Sequence, residues 1–239
     1  MELQDLIEEQ LNYYRAVAQE YDQWFLRRGR YDRGPEHRIE WFREIATLER
    51  VLEPVIEGKE VLELACGTGL WTRRLAARSS RVLAMDAAPE MLSINRERLR
   101  TGNVEYCKAD IFSWTPPTGF DLVFVSFWLS HVPAGRFDEF WGNIRRALKP
   151  GGSVFLVDSL LEPTSTARDD DSVDRSGVVR RKLNDGREFQ IVKVFYEPSE
   201  LESRLAALGW SGWVHSTGKF FLYGLVGRTD GNERKPASR

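Results

Sequence analysis

Two cysteines in 239 residues cannot build a disulfide framework or a four-thiolate zinc site, and three histidines do not make up the number. So little cysteine fits a reducing, cytoplasmic setting. An excess of one charge is also missing. The 34 Lys+Arg against 36 Asp+Glu leave a net charge of −2, which excludes the broad basic surface of most nucleic-acid binders. No stretch approaches the ~20 apolar residues of a membrane span. The N-terminus, MELQDLIEEQLNYYR, is acidic and amphipathic, without the charged start and apolar run of a signal peptide. These absences lead us to expect no nucleic-acid partner and no membrane partner, in a monomer or homodimer large enough to bury a real core.

What is present is ring-rich. Eight Trp, seven Tyr and thirteen Phe make 12% aromatics, clustered near the N-terminus, after residue 126 and around 195. Leu3, Leu6, Ile7, Leu11 and Tyr14 recur at helical spacing. The helical pattern is expected to break over Gly29–Pro35 and resume from Glu36 to about Leu52, with Pro54 and Gly58 ending it. From Lys59 short apolar runs alternate with helical stretches, which implies right-handed βαβ units and a parallel, doubly wound sheet. Strands are expected at Val61–Leu64, Arg81–Met85, Val104–Cys107, Leu122–Ser126 and Ser153–Asp158. Asn184-Asp185-Gly186, between Val178–Leu183 and Glu188–Tyr196, signals a hairpin. Trp210–Thr217 and Phe220–Gly227 read as two closing strands.

The sharpest motif is Glu63-Leu64-Ala65-Cys66-Gly67-Thr68-Gly69. An apolar strand ends in an acid, passes a small-residue turn and enters a helix, so that backbone amides can approach a ligand closely. The turn lacks both the dinucleotide spacing and the Gly-Lys-Ser/Thr of a phosphate loop. A second strand ends in Asp86, where a carboxylate can accept from two ribose hydroxyls, and Asp110 follows the third strand, where an acid can meet an adenine amino group. Each acid alone could be an ordinary strand-end residue. All three at successive carboxyl ends favour a ligand site.

In this order and spacing the set resembles the class I S-adenosylmethionine-dependent methyltransferases, with specific motifs over about Lys59–Asp158. The family's acid-x-Gly-x-Gly-x-Gly motif is matched except that Ala65 takes the first glycine position. The resemblance implies an α/β, Rossmann-like, seven-stranded sheet of order 3-2-1-4-5-7-6, the last strand antiparallel. It implies a helical lid over residues 1–56, a methyltransferase domain over 57–228 with a loop-and-hairpin insertion at 160–197, and a flexible tail at 229–239. It further implies S-adenosylmethionine as cofactor and S-adenosylhomocysteine as product. The cofactor site would comprise Glu63, Ala65, Gly67, Gly69, Asp86, Ala87, Met91, Asp110 and Ile111, closed by Phe127, Tyr14 and Tyr21.

For the acceptor, His131 in Ser126-Phe127-Trp128-Leu129-Ser130-His131 is near a family position that often carries a histidine. It could act as a base, contact the substrate, or merely bond backbone. No Asn/Asp-Pro-Pro-Tyr is present, which argues against nucleic acid or protein-amide acceptors. Asp158 could match one ligand of the metal-dependent family members, but Ser126 stands where another is needed, so no metal is expected. Asp158 could instead orient a donor on the substrate or cap the next loop. The run Asp169-Asp170-Asp171 with Asp174 reads as a solvated loop. Arg168, Arg175, Arg180 and Arg181 could meet an anion, or sit on an exposed hairpin face. Tyr13, Trp24, Trp128 and Tyr196, with His131 and Asp158, would line a pocket for a small, aromatic or heteroaromatic acceptor methylated on N or O. The alternatives are a quinone precursor, a protein side chain, or a cofactor-binding scaffold without catalysis.

Overall fold

In the computed structural model, which describes residues 2–169 and 177–229, nine strands form. They are β1 (Glu60–Leu64), β2 (Arg81–Asp86), β3 (Val104–Lys108), β4 (Phe120–Ser126), β5 (Leu148–Ser159), β6 (Gly177–Lys182), β7 (Glu188–Lys193), β8 (Trp210–Ser216) and β9 (Phe221–Arg228). Seven make one sheet in the order β3-β2-β1-β4-β5-β9-β8, while β6 and β7 form a separate hairpin. The strands β1 to β5 are parallel, and β9 runs antiparallel to both of its neighbours. The expected order is therefore the observed one, with β9 as the seventh strand of the sheet. Asp170, Asp171, Asp174, Arg175 and the tail from 230 lie outside the described residues.

The central strands read as continuous apolar runs because both faces of the sheet are covered. On one face Leu62, Val123 and Val154 pack with Trp141 of α6 (Phe137–Ala147) and Leu201 of α7 (Pro198–Ala207). On the other, Val61, Phe124 and Phe155 meet Trp41, Leu48 and Leu52 of α3 (Pro35–Ile56). Trp41 is fully buried, and its indole N–H donates to the Phe25 carbonyl at 3.0 Å. A helix buried this way draws its stability from its apolar stripe, and losing one such ring costs about 3–5 kcal/mol.

Three local expectations change. The N-terminal helix α1 (Leu3–Val17) stops well before Gly29, and the chain turns at 18–21 before α2 (Asp22–Phe25). That turn brings Tyr21 inward. Helix α3 continues through Pro54 to Ile56, since a proline in the last turn removes one hydrogen bond where the helix has few left to lose. The fifth strand is expected from Ser153. Instead β5 begins at Leu148, with an irregular register opposite Phe120–Leu122.

Helices α4 (Thr72–Ala76) and α5 (Pro89–Arg98) follow β1 and β2. Among the described residues, helix α1 packs chiefly on β7 and α5, and its Ile7 joins the core of the main sheet. Its apolar face, with Val179 and Ile191 of the hairpin and Met91 of α5, forms a small third core. The carboxyl edge of the sheet thus lies under two elements that do not belong to it.

Candidate active site

The turn after β1 crosses the carboxyl edge in left-handed backbone: φ is +52° at Ala65, +52° at Gly67 and +89° at Gly69. A β-carbon on Gly67 would point toward the Tyr21 ring at 3.8 Å, and one on Gly69 would strike the Asn95 amide at 2.4 Å. Ala65 takes the same backbone with a β-carbon, at a strain of roughly 1 kcal/mol. The Gly67 amide donates to Asp86 Oδ2 at 2.9 Å, and the Ala88 amide to Oδ1 at 2.9 Å. Each Asp86 oxygen therefore keeps acceptor capacity for a ligand. Asp110 is fixed alike, its Oδ1 accepting from the Phe112 amide at 2.9 Å and Oδ2 from the Ser113 hydroxyl at 3.2 Å.

These carboxylates open into a groove of about 290 Å³. Ala65, Gly67, Asp86, Ala87, Met91, Asp110 and Ile111 form one side of it. Ile7, Gln10, Leu11 and Tyr14 of α1, with Tyr21, Phe127 and Trp128, close the other. Burial raises the Asp86 carboxyl to about 6, opposed by the Ala88 and Gly67 amides, so it is ionised at neutral pH.

A second, smaller cavity of about 80 Å³ adjoins the groove. Tyr13, Trp24 and Tyr31 wall it from the N-terminal segment, Ser165 to Ala167 from the loop after β5, and Arg181, Ile191, Lys193 and Phe195 from the hairpin region. His131 completes it, while Tyr14, Tyr21 and Phe127 line both spaces and so mark their junction. Phe127 holds this place with φ of +54°, a strained backbone for an aromatic residue. Burial pushes the Tyr13, Tyr14 and Tyr21 hydroxyls well up, so they stay protonated.

His131 Nδ1 lies 2.7 Å from the Val192 carbonyl, which can only accept, so Nδ1 carries the hydrogen and Nε2 the lone pair. Burial, and then the Lys193 charge, hold its basicity well below the usual range, so the ring is neutral. Lys193 is itself buried, donates to Ser130 Oγ at 2.8 Å and lies 3.6 Å from Asp158 Oδ1. Burial lowers its ammonium, and Asp158 opposes that shift. Asp158 also accepts from the Ser130 and Ser159 amides at 2.8 and 2.7 Å.

Five sequence-predicted residues stand elsewhere than expected. Glu63 is fully buried behind the turn and lines neither space. Its carboxyl oxygens make no hydrogen bond of ordinary geometry, and burial raises the group to about 8 despite the nearby Thr72 hydroxyl, so it is protonated at neutral pH. Gly69 faces Asn95 and not the groove. Asp158 supports Lys193 from below and does not line the cavity. Tyr196 packs on Phe137 in the core, its hydroxyl without a partner. Trp128 lines the larger groove instead of the smaller cavity. Conversely, Gln10, Tyr31, Ser165 and Lys193 were missed. Lys193 carries a signal in hindsight: alternation on β7 sets it on the face of Phe189 and Ile191, where a lysine is out of place. The same alternation puts Arg181 beside Val179 and turns Arg180 away.

A family profile described as a methyltransferase domain matches residues 61–152. The solved structure of a DhpI–SAH complex is 41% identical over 93% of this chain and 97% of that one, with a TM-score of 0.76. That of a DhpI–SAM–HEP complex is 43% identical with the same coverage and a TM-score of 0.77. The chain belongs to the S-adenosylmethionine-dependent methyltransferases. This methyltransferase uses S-adenosylmethionine and releases S-adenosylhomocysteine. The groove fits that cofactor: it has two held carboxylates with acceptor capacity to spare, and Gly67 crosses it in left-handed backbone that favours glycine. The ubiquinone/menaquinone biosynthesis C-methyltransferase UbiE of Escherichia coli is 36% identical over 126 residues, 48% of this chain. The methyltransferase spans about half the length of the curated relatives it matches, 49% for UbiE. Among the described residues, no helix is long and apolar enough to cross a membrane.

Proposed function

We propose that this methyltransferase methylates an oxygen or nitrogen of a small acceptor that carries an anionic group. The observation behind this reading is that Lys193 and Arg181 both line the 80 Å³ cavity next to the cofactor groove. A buried ammonium is costly without a partner, and Asp158, outside the cavity, meets only part of that need at 3.6 Å. An anionic end of the acceptor would meet the rest. Size agrees, because an apolar cavity of about 150 Å³ is what benzene fills. The DhpI–SAM–HEP complex, in which a relative holds SAM together with a second molecule, HEP, agrees with an acceptor site beside the cofactor.

In this reading Asp86 takes the ribose hydroxyls and Asp110 the adenine amino group, while Ala65, Gly67, Ala87, Met91 and Ile111 shape the groove. Bound S-adenosylmethionine supplies an electrophilic methyl for in-line displacement. Lys193 and Arg181 orient the acceptor, and the Tyr14, Tyr21 and Phe127 rings exclude water at the junction. His131 Nε2 takes the proton of a hydroxyl or amine acceptor as the new bond to carbon forms. Residues 1–56 begin with the helices that cover the site, so we read them as its lid. The reading also carries a cytoplasmic monomer or homodimer without nucleic-acid or membrane partners, for which the two free thiols and the net charge of −2 speak.

The ring walls of Tyr13, Trp24 and Phe127 suggest a second reading, an aromatic acceptor, but a cavity of about 80 Å³ is smaller than the ~150 Å³ that benzene fills and counts against it. A quinone precursor, suggested by the ubiquinone/menaquinone biosynthesis in the UbiE name, would need a long apolar channel, and two cations line this cavity instead. A matched pair of acceptors tests the proposal: a small hydroxy acid and its neutral amide, with transfer of labelled methyl measured. The hydroxy acid should be methylated with a kcat/KM at least tenfold higher. Equal rates, or a preference for a neutral aromatic alcohol, would overturn it.

A further inference from the structure

Gln10 is out of place by composition. It sits on the buried face of α1 among Leu6, Ile7, Tyr13 and Val17, yet it is only 1% exposed. A primary amide is buried at a cost unless both its ends find partners. Both do. Oε1 accepts from the Val192 amide at 3.0 Å, and Nε2 donates to the His131 carbonyl at 3.2 Å. These partners fix the orientation of the amide, since Val192 N–H can only donate and the carbonyl can only accept. The His131 ring closes the circuit by donating from Nδ1 to the Val192 carbonyl at 2.7 Å. Three residues from the N-terminal helix, the segment after β4 and the hairpin therefore form one ring of hydrogen bonds.

We propose that Gln10 is a positioning residue that couples the seating of α1 over the cofactor groove to the placement of His131. This rests on the reading of His131 as the group that receives the acceptor's proton. Helix α1 supplies part of the groove's cover through Ile7, Leu11 and Tyr14. When α1 is seated, Gln10 holds Val192 and the backbone of His131 together. When α1 lifts to admit or release the cofactor, the Val192 amide and the His131 carbonyl lose their partner, and the ring's anchor on β7 loosens with them. The base is thus assembled only under a closed helix, which keeps proton transfer out of contact with bulk water. Glu9 reinforces the seat, its Oε1 accepting from the Gln190 amide at 2.7 Å further along the same strand edge. The groups that face or flank His131 and set its charge state are Lys193 and Arg181 of the hairpin, the Tyr14 ring of α1, and Asp158 through Lys193.

The test compares Gln10→Ala, the similarly sized but apolar Gln10→Met, His131→Gln and the double variant Gln10→Ala/His131→Gln. Readouts are S-adenosylmethionine Kd, kcat at saturating substrates, its pH profile, and the thermal melt. We expect both Gln10 variants to lose tenfold or more in kcat at saturating cofactor and to shift the limb of the pH profile set by His131, with Kd weakened as well because Gln10 lines the groove and seats the helix that covers it. Gln10→Glu, which keeps an acceptor for the Val192 amide, should recover part of the loss. The double variant should be no slower than His131→Gln alone. Should Gln10→Ala not fold, Gln10→Met and Gln10→Glu carry the comparison. Wild-type kcat and pH profile in Gln10→Met, or losses that multiply in the double variant, would overturn the coupling while leaving His131 as the base. Wild-type turnover in His131→Gln would remove the base itself, and the coupling with it.

Discussion

The cofactor groove and the acceptor cavity share Tyr14, Tyr21 and Phe127 but are built by opposite rules. The core of the groove is a property of the sheet. Its carboxylates stand at strand ends, and backbone amides one or two residues away, or from the neighbouring turn, fix their oxygens. The cavity is a property of the additions to the sheet. The turn after α1, the segment after β4, the loop after β5 and the hairpin each supply one or a few side chains, and only their docking makes a site. The difference separates the part that handles a common cofactor from the part that selects an acceptor.

That separation can be broken from either side. Asp86→Ala should weaken S-adenosylmethionine tenfold or more, since a hydrogen-bonded charge is worth about 1.5–3 kcal/mol, and should leave acceptor KM alone. Wild-type affinity should also fall as pH drops through about 6, where Asp86 takes up its proton, and the variant should lack that step. Calorimetric titration across this range decides it, and an unchanged Kd would take Asp86 out of the groove.

Glu63 gives a smaller effect, on stability. Its folded carboxyl titrates near 8, above the ordinary 4.5, so the folded state holds a proton that the unfolded chain releases. Stability from this group is therefore fully present below about 4.5 and is lost as pH rises toward 8. Asp86 acts with the same sign but nearer 6, so melting between pH 6.5 and 8.5 isolates Glu63. The wild type should lose on the order of 1–2 kcal/mol over that window, and Glu63→Gln should lose much less. Parallel curves would show that Glu63 is already ionised. The smallest effect is Ala65→Gly. Relief of left-handed strain at φ of +52°, less the entropy of the freer unfolded chain, should gain at most about 0.5 kcal/mol with little change in Kd. A lower melting temperature would mean that the Ala65 methyl group matters to packing.

The same contrast explains what the sequence could disclose. Strand-end acids and a small-residue turn are local signals, so Asp86, Asp110 and Gly67 were legible from the residues, whereas the strand order came only from the resemblance to the methyltransferase family. Glu63 misleads for a physical reason: an acid buried behind the turn has the same spacing as one that touches a ligand. The cavity was legible only in fragments. Tyr13, Trp24 and His131 could be named for one pocket, but Arg181 could not be placed in it, because no periodicity specifies how a lid docks on a hairpin. Lys193 and Gln10 are buried by elements more than a hundred residues away in sequence for Gln10 and more than sixty for Lys193, so no local signal named them as site residues.

The central claim is that Lys193 selects an anionic acceptor from a site the cofactor does not share. Its most direct measurement is the kcat/KM ratio between the hydroxy acid and its neutral amide in Lys193→Met, with S-adenosylmethionine Kd read on the same preparation. The account predicts that the wild-type preference for the acid collapses toward unity while Kd stays within about twofold. A retained preference, or a Kd that falls away with it, would contradict the account.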